Sequence, residues 1–291
     1  MSYTTLISTE ELAEHENGSH LAIVDCRFSL QNTIRGLEAY RKGHIPGAVY
    51  AHLDNDLSGP VIPGKTGRHP LPDPLVFSGV LSRWGIGNDT QVVAYDDAGG
   101  AIAARLWWMM KWLSHEAVAV LDGGLPAWER ENRPIAAGTE TRPSRTFVPK
   151  PRWNITADAN QVDHLRADPD AMLLDARGEP RYRGEEEPID TVAGHIPGAI
   201  STPFAKNLDD QGLFLSPGEL RKRFQPIQDE AETANTIIYC GSGVTAAHNI
   251  LAMVHAGLGM PRLYPGSWSE WIADPERPVA KGYSVFGEDQ T

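Results

Sequence analysis

The hexapeptide GHIPGA stands at residues 43–48 and recurs, letter for letter, at 194–199, an offset of 151. Three further pairs keep step with it. IVDCR at 23–27 matches LLDAR at 173–177, offset 150. VVAYD at 92–96 matches TIIYC at 236–240, offset 144, and LDGGLPAW at 121–128 matches YPGSWSEW at 264–271, offset 143. Four anchors in one order at nearly one spacing require a duplicated domain. A chain of 291 residues has room for two domains of roughly 150 residues, each burying its own core.

Each copy opens on a helix signal: Ser8 or Thr9 before Glu10, Glu11 and Leu12, and Thr156 before residues 157–165. A short apolar strand ending in Asp-x-Arg follows, then a charged loop. GHIPGA comes next and reads as a turn, because its proline breaks a helix and its glycines suit a bend; a strand follows it. Then come a helix (74–84 or 216–224), a buried strand (92–96 or 236–239), a helix (101–113 or 245–256), a strand (117–121 or 262–264) and a tryptophan-bearing turn. Strands alternating with helices predict an α/β fold in which each domain is a mainly parallel sheet with helices on both faces. Residues 136–154, AAGTETRPSRTFVPKPRWN, lack periodicity and are rich in proline, threonine and arginine, as linkers are. The expected layout is a first domain at 1–138, a linker at 139–155 and a second domain at 156–291.

The second copy holds the reactive candidate. Residues 236–257, TIIYCGSGVTAAHNILAMVHAG, read as a buried strand, a glycine-rich turn and an apolar helix, with Cys240 where strand meets turn. Ligands of parallel sheets sit beyond the carboxyl ends of the strands, which is where Cys240 falls. Gly241 and Gly243 permit a tight turn with N–H groups directed inward, and the helix beginning near Thr245 adds its positive end. Both features favour a charged sulfur. On these residues alone, Cys240 reads equally well as a small apolar residue ending a strand. The matching residue of the first copy is Asp96.

Composition narrows the classes. A net charge of −12 with no lysine- or arginine-rich run argues against nucleic acid as a partner. No apolar run approaches the roughly 18 residues of a membrane span. The opening MSYTTLISTEELAEH has no basic stretch followed by an apolar one, so a cytoplasmic protein is expected. Two cysteines, Cys26 and Cys240, are too few for a disulfide framework or a zinc cluster.

Taken together, GHIPGA twice, CGSGVTA after a strand and the terminal PGSWSEW resemble, over nearly the whole chain, the tandem-domain sulfurtransferases of the rhodanese superfamily. In that family the first domain is inert and the second carries the cysteine, in keeping with Asp96 opposite Cys240. The resemblance implies that Cys240 takes sulfur from 3-mercaptopyruvate or thiosulfate as a persulfide and passes it to a thiol or cyanide, a ping-pong cycle. It implies that loop N–H groups of Gly241, Gly243, Val244 and Thr245 bind and stabilise the anionic sulfur. It gives Arg181, in RYRG, the anionic end of the donor, which suits a guanidinium fork. The plainer reading of Arg181 is an ion pair with Glu185, Glu186 or Glu187. The CGSGVT loop looks like the mercaptopyruvate type, whereas thiosulfate enzymes more often carry basic residues there.

The second arginine that mercaptopyruvate enzymes place nine residues on is here Asp190, leaving Arg183 and Arg68 as replacements. Ser242 is joined in those enzymes by an Asp and a His of the first domain, and Asp54 and His69 match. Such a Ser–His–Asp group would polarise the donor carbonyl or protonate the departing pyruvate; otherwise His69 is an ordinary loop histidine. No metal or organic cofactor is implied. The implied partners are a small anionic sulfur donor and a thiol or cyanide acceptor, thioredoxin-like proteins included.

Other residues read as structural. His44, His195, Asp25 and Asp175 occur in both copies and are expected to hold the turns. Trp107, Trp108, Trp128 and Trp271 suit packing, and Cys26, matched by Ala176, suits a buried strand end. A cysteine phosphatase would need an arginine closing the loop, and GSGVTAAHN has none. A cysteine hydrolase using His248 or His255 is disfavoured because both sit along a helix. The alternative function is a persulfide carrier loaded by a protein partner, without turnover of a small donor.

Overall fold

The computed structural model describes residues 2–15, 20–228 and 232–283. The chain forms two compact units. The first is Met1–Gly59, Leu71–Arg152 and Asp209–Phe214; the second is Pro60–Pro70, Trp153–Leu208 and Leu215–Thr291. The residues on either side of the expected linker are therefore not sorted by it alone: segment 60–70 precedes the linker yet belongs to the second unit.

In the first unit the elements run β1 (Leu6–Ile7), α1 (Thr9–His15), β2 (Leu21–Asp25), α2 (Arg35–Lys42), β3 (Val49–Tyr50), α3 (Pro74–Arg83), β4 (Gln91–Tyr95), α4 (Ala103–Trp112), β5 (Val118–Leu121) and α5 (Gly124–Arg130). The sheet is parallel throughout, in the order β1-β5-β4-β2-β3. The second unit holds α6 (Ala159–Leu165), β6 (Met172–Asp175), α7 (Glu179–Arg183), β7 (Ala199–Ser201), α8 (Pro217–Gln228), β8 (Thr236–Tyr239), α9 (Ala246–His255), β9 (Arg262–Leu263) and α10 (Ser267–Trp271). Its parallel sheet has the order β7-β6-β8-β9. A parallel bridge from Thr156 to Leu263 stands where β1 lies in the other unit. One topology is thus used twice.

The central strands β2, β6 and β8 are buried at every residue, the signature of parallel sheets covered on both faces. Helix α4 (AARLWWMMKW) is buried all round, and Trp107, Trp108, Trp128 and Trp271 are core residues. Trp128 and Trp271 donate their indole N–H to the carbonyls of Pro134 and Pro278, so each unit repeats one solution to a buried polar edge. Helix α6 starts two residues later than the sequence suggests, because Asp158, not Thr156, caps it. Asp158 accepts from the Gln161 amide at 2.8 Å while Gln161 accepts in return, and the Thr156 hydroxyl donates to the Trp153 carbonyl instead. Helix α8 runs past the expected end at 224 with Pro226 inside it. No helix among the described residues is long and apolar enough to cross a membrane.

The repeated motifs interlock, which explains why they recur together. Asp25 and Asp175 each accept the backbone N–H of the arginine two residues on and pair with its guanidinium. The same arginines, Arg27 and Arg177, donate to the carbonyls of Gly43 and Gly194, the first residues of the two GHIPGA turns. The hydroxyls of Tyr95 and Tyr239, last residues of β4 and β8, accept from the amides of Ile45 and Ile196 within those turns. His44 and His195 are buried, stack on Tyr40 and Tyr182, and bond through Nδ1 to the carbonyls of those tyrosines. Strand end, turn and neighbouring strand are therefore locked by one polar cluster with its charges paired.

Candidate active site

Cys240 directly follows β8, at the carboxyl end of a central strand, and is 2% exposed. Its loop is pinned to α10. The Cys240 amide donates to Ser267 Oγ at 3.1 Å, its carbonyl accepts from the Trp268 amide at 3.0 Å, and the Gly241 carbonyl accepts from the Ser269 amide at 2.9 Å. Gly243 has φ +74°, and a Cβ there would stand 2.3 Å from the Pro265 carbonyl oxygen, so glycine is required on both counts. Ser267 adopts φ +54°, a left-handed conformation that costs a non-glycine residue energy. The first unit has Gly124 at this place, with φ +57°. The serine side chain compensates for the strain by accepting from Cys240 and donating to the Tyr264 carbonyl at 2.9 Å.

The first unit shows what this loop does when an anion is built into it. The Asp96 carboxylate accepts four backbone N–H groups, from Ala98, Gly100, Ile102 and Ala103, at 2.8–2.9 Å. Its carbonyl accepts from Leu125 as Cys240's does from Trp268. A carboxylate ringed by amides is a strongly held anion. Replacing Asp96 by alanine leaves four backbone donors unpaired, those of Gly100 and Ala103 buried, and we expect a loss of about 3 kcal/mol in urea unfolding, with Asp96→Asn losing less.

Arg181, on α7, donates through Nε and Nη2 to Glu187 and through Nη2 to Asp190 Oδ2 at 2.9 Å. The plain ion-pair reading is thus realised, through Glu187. Yet Nη1 of Arg181 lies 3.5 Å from the point where a Gly241 Cβ would stand, so the guanidinium also faces the loop. Arg68 reaches the same point with Nη2, at 3.0 Å, while its Nη1 donates to Asp190 Oδ1 and its amide to Ser269 Oγ. Arg183 is engaged elsewhere, with Glu185 and the Tyr283 hydroxyl. Burial pushes the Asp190 carboxyl above its usual range, against the attraction of Arg68. Burial acts the same way on Glu187, but there the Arg181 hydrogen bonds and the amides of Asp190 and Ile189 prevail and hold it below the usual range.

His69 Nδ1 and Ser242 Oγ are 2.7 Å apart, hydrogen-bonded, and 3% and 5% exposed. The 60–70 segment that carries His69 and Arg68 is part of the unit that carries Cys240. His69 thus lies buried against the loop that carries Cys240. Asp54 belongs to the first unit, in the turns after β3; its amide donates to His52 Nδ1 at 3.2 Å, and burial raises its carboxyl. Val244 is buried in the loop and Thr245 closes it ahead of α9. His248 is buried, bonded to Asn207 Nδ2 at 3.1 Å and packed on Phe204. Among the described residues no cluster of three His, Cys, Asp or Glu side chains is arranged to hold a metal. Sequence reading missed Ser267 and Ser269. The only available signal was the pair of serines two apart in SWSEW.

The geometry agrees with what the chain is similar to. The model of the rhodanese-like domain matches residues 8–131 and again 158–274. The probable 3-mercaptopyruvate sulfurtransferase of Pseudomonas aeruginosa is 46% identical over 283 residues, 97% of this chain and 100% of the relative. The thiosulfate sulfurtransferase of Rattus norvegicus is 32% identical over 295 residues, 97% of each chain. Among solved structures, 3-mercaptopyruvate sulfurtransferase from Leishmania major superposes with a TM-score of 0.80 at 32% identity, covering 92% of this chain and 74% of that one.

Proposed function

The chain belongs to the rhodanese family and is a sulfurtransferase, and we propose that it draws sulfur from 3-mercaptopyruvate in preference to thiosulfate, through a persulfide on Cys240. The observation that carries the preference is the buried Ser242–His69 pair, two residues along a loop, CGSGVT, that holds no lysine or arginine.

The Cys240 thiolate attacks the mercapto sulfur of the donor. The new S–S bond forms as the C–S bond breaks, and the electron pair of that bond passes to the pyruvate methylene carbon as an enolate. The thiol proton of the donor ends on that carbon, giving pyruvate and a Cys240 persulfide anion. Ser242 donates to the developing enolate oxygen, and His69, hydrogen-bonded to Ser242, relays the proton. The persulfide's outer sulfur is held by amides of Gly241, Gly243, Val244 and Thr245, as the Asp96 carboxylate is held by amides of the sister loop. In the second half-reaction a thiol or cyanide attacks that outer sulfur and frees the Cys240 thiolate. Arg181 binds the carboxylate end of the donor. For Asp54 the catalytic assignment rests on the sequence. A thioredoxin-like acceptor and a cytoplasmic location are part of the same proposal and suit a protein whose two cysteines are both free thiols.

Steady-state rates with the two donors on one preparation test the reading. The expected result is a higher kcat/KM for 3-mercaptopyruvate, falling about 100-fold in Ser242→Ala against a few-fold loss for thiosulfate. Equal losses, or a wild-type preference for thiosulfate, would overturn it.

A further inference from the structure

We propose that Asp190 is a positioning residue that braces Arg68 beside Arg181, so that the two arginines grip the donor's carboxylate together and Arg68 is a specificity-determining residue of this site. The proposal rests on the donor reading above and adds to it a second anchor and the group that holds it in place.

The two oxygens of one carboxylate are divided between two guanidinium groups: Oδ1 of Asp190 takes Nη1 of Arg68, and Oδ2 takes Nη2 of Arg181. Each arginine is thereby turned so that its other terminal nitrogen faces Gly241. Arg181 Nη1 and Arg68 Nη2 lie 3.5 and 3.0 Å from one point, the place a Gly241 Cβ would occupy. Among the described residues neither atom makes a hydrogen bond, and Arg68 Nε is buried with no partner. A buried donor without an acceptor, as Arg68 Nε is, is rare and points to an acceptor that arrives with a ligand. Gly241 lies outside the left-handed region, so its backbone does not demand glycine. What its missing side chain provides is the space in front of the two guanidinium groups.

The charges decide what kind of grip this is. Asp190 and Glu187 offset Arg68 and Arg181 one for one. A site whose charge is already balanced attracts an anion through aimed N–H bonds rather than through its field. Two opposite expectations follow for Asp190→Asn. If Asp190 were only a misplaced negative charge, removing it would tighten donor binding. If it is the brace, the arginines lose their spacing and binding weakens.

The brace predicts a KM for 3-mercaptopyruvate raised about tenfold in Asp190→Asn, with kcat within about twofold of wild type and partial rescue in Asp190→Glu. Arg68→Ala is expected to raise KM similarly, and the double variant no further, since both remove one device. An unchanged or lowered KM in Asp190→Asn, or additive losses, overturns the proposal. A readout independent of turnover is the alkylation of Cys240 by iodoacetate relative to iodoacetamide, which differ by the carboxylate. That ratio is expected to fall about tenfold in Arg68→Ala and in Asp190→Asn. Poor use of 3-mercaptopyruvate with the ratio still falling would remove the donor reading and keep the grip. Normal use with the ratio unmoved would remove the grip alone.

Discussion

Cys240→Ser is expected to lose at least about 10⁴-fold in sulfur transfer from either donor, and wild-type enzyme treated with donor is expected to gain one sulfur, about 32 Da, on the peptide that holds Cys240. The reason is chemical. A serine hydroxyl is a poor nucleophile toward sulfur and cannot store a sulfur atom as a persulfide, so neither half-reaction has an intermediate to pass through. The other sulfur in reach of such an experiment is Cys26, and its surroundings exclude it. Cys26 is fully buried after β2, and burial together with the Asp96 and Asp25 carboxylates pushes its thiol well up, keeping it protonated and inert. Native enzyme should therefore show sulfur on Cys240 alone, and iodoacetamide should reach Cys26 only after unfolding. Turnover surviving in Cys240→Ser, or sulfur found on Cys26, would refute the assignment.

The duplication was legible because it needs no structure: GHIPGA, Asp-x-Arg and the strand-ending tyrosine recur in order, and in the fold these residues bind one another. The place of Cys240 was legible too, since strand, glycine turn and helix are adjacent in sequence and each leaves its own local pattern. Contacts between distant segments leave no such pattern: Ser242 and His69 are 173 residues apart, and their meeting was to be expected from the family resemblance, not from any periodicity or turn signal. The linker suggested a clean cut, whereas the chain sends 60–70 into the second unit. Asp190 shows the same limit differently. Compared with a motif it looks like a lost arginine, with Arg183 or Arg68 left to replace it, and only in space does its carboxylate join Arg181 to Arg68. Ser267 went unnoticed because its φ of +54° is set by the loop it supports, and serine gives no warning of it.

His69→Ala is expected to lower kcat for 3-mercaptopyruvate by about 10²–10³ while lowering it only a few-fold for thiosulfate. The two donors leave differently. Sulfite is a stable anion and departs without a proton, whereas the pyruvate fragment leaves as an enolate that must be hydrogen-bonded and then protonated at carbon. Only the second needs the Ser242 hydroxyl and the imidazole 2.7 Å from it. Removing the ring also leaves a buried hydroxyl without its partner, so Ser242→Ala and His69→Ala should cost nearly the same singly as together. The half-reactions separate this role from a structural one. A His69→Ala enzyme preloaded with sulfur from thiosulfate should discharge to a thiol at close to the wild-type rate, because no enolate forms in that step. If loading from thiosulfate and discharge fall as far as loading from 3-mercaptopyruvate, His69 supports the loop rather than the chemistry. A chain beginning at residue 153 lacks both His69 and Arg68, which the second unit takes from 60–70. It is expected to show the His69→Ala loss with 3-mercaptopyruvate and a raised KM besides.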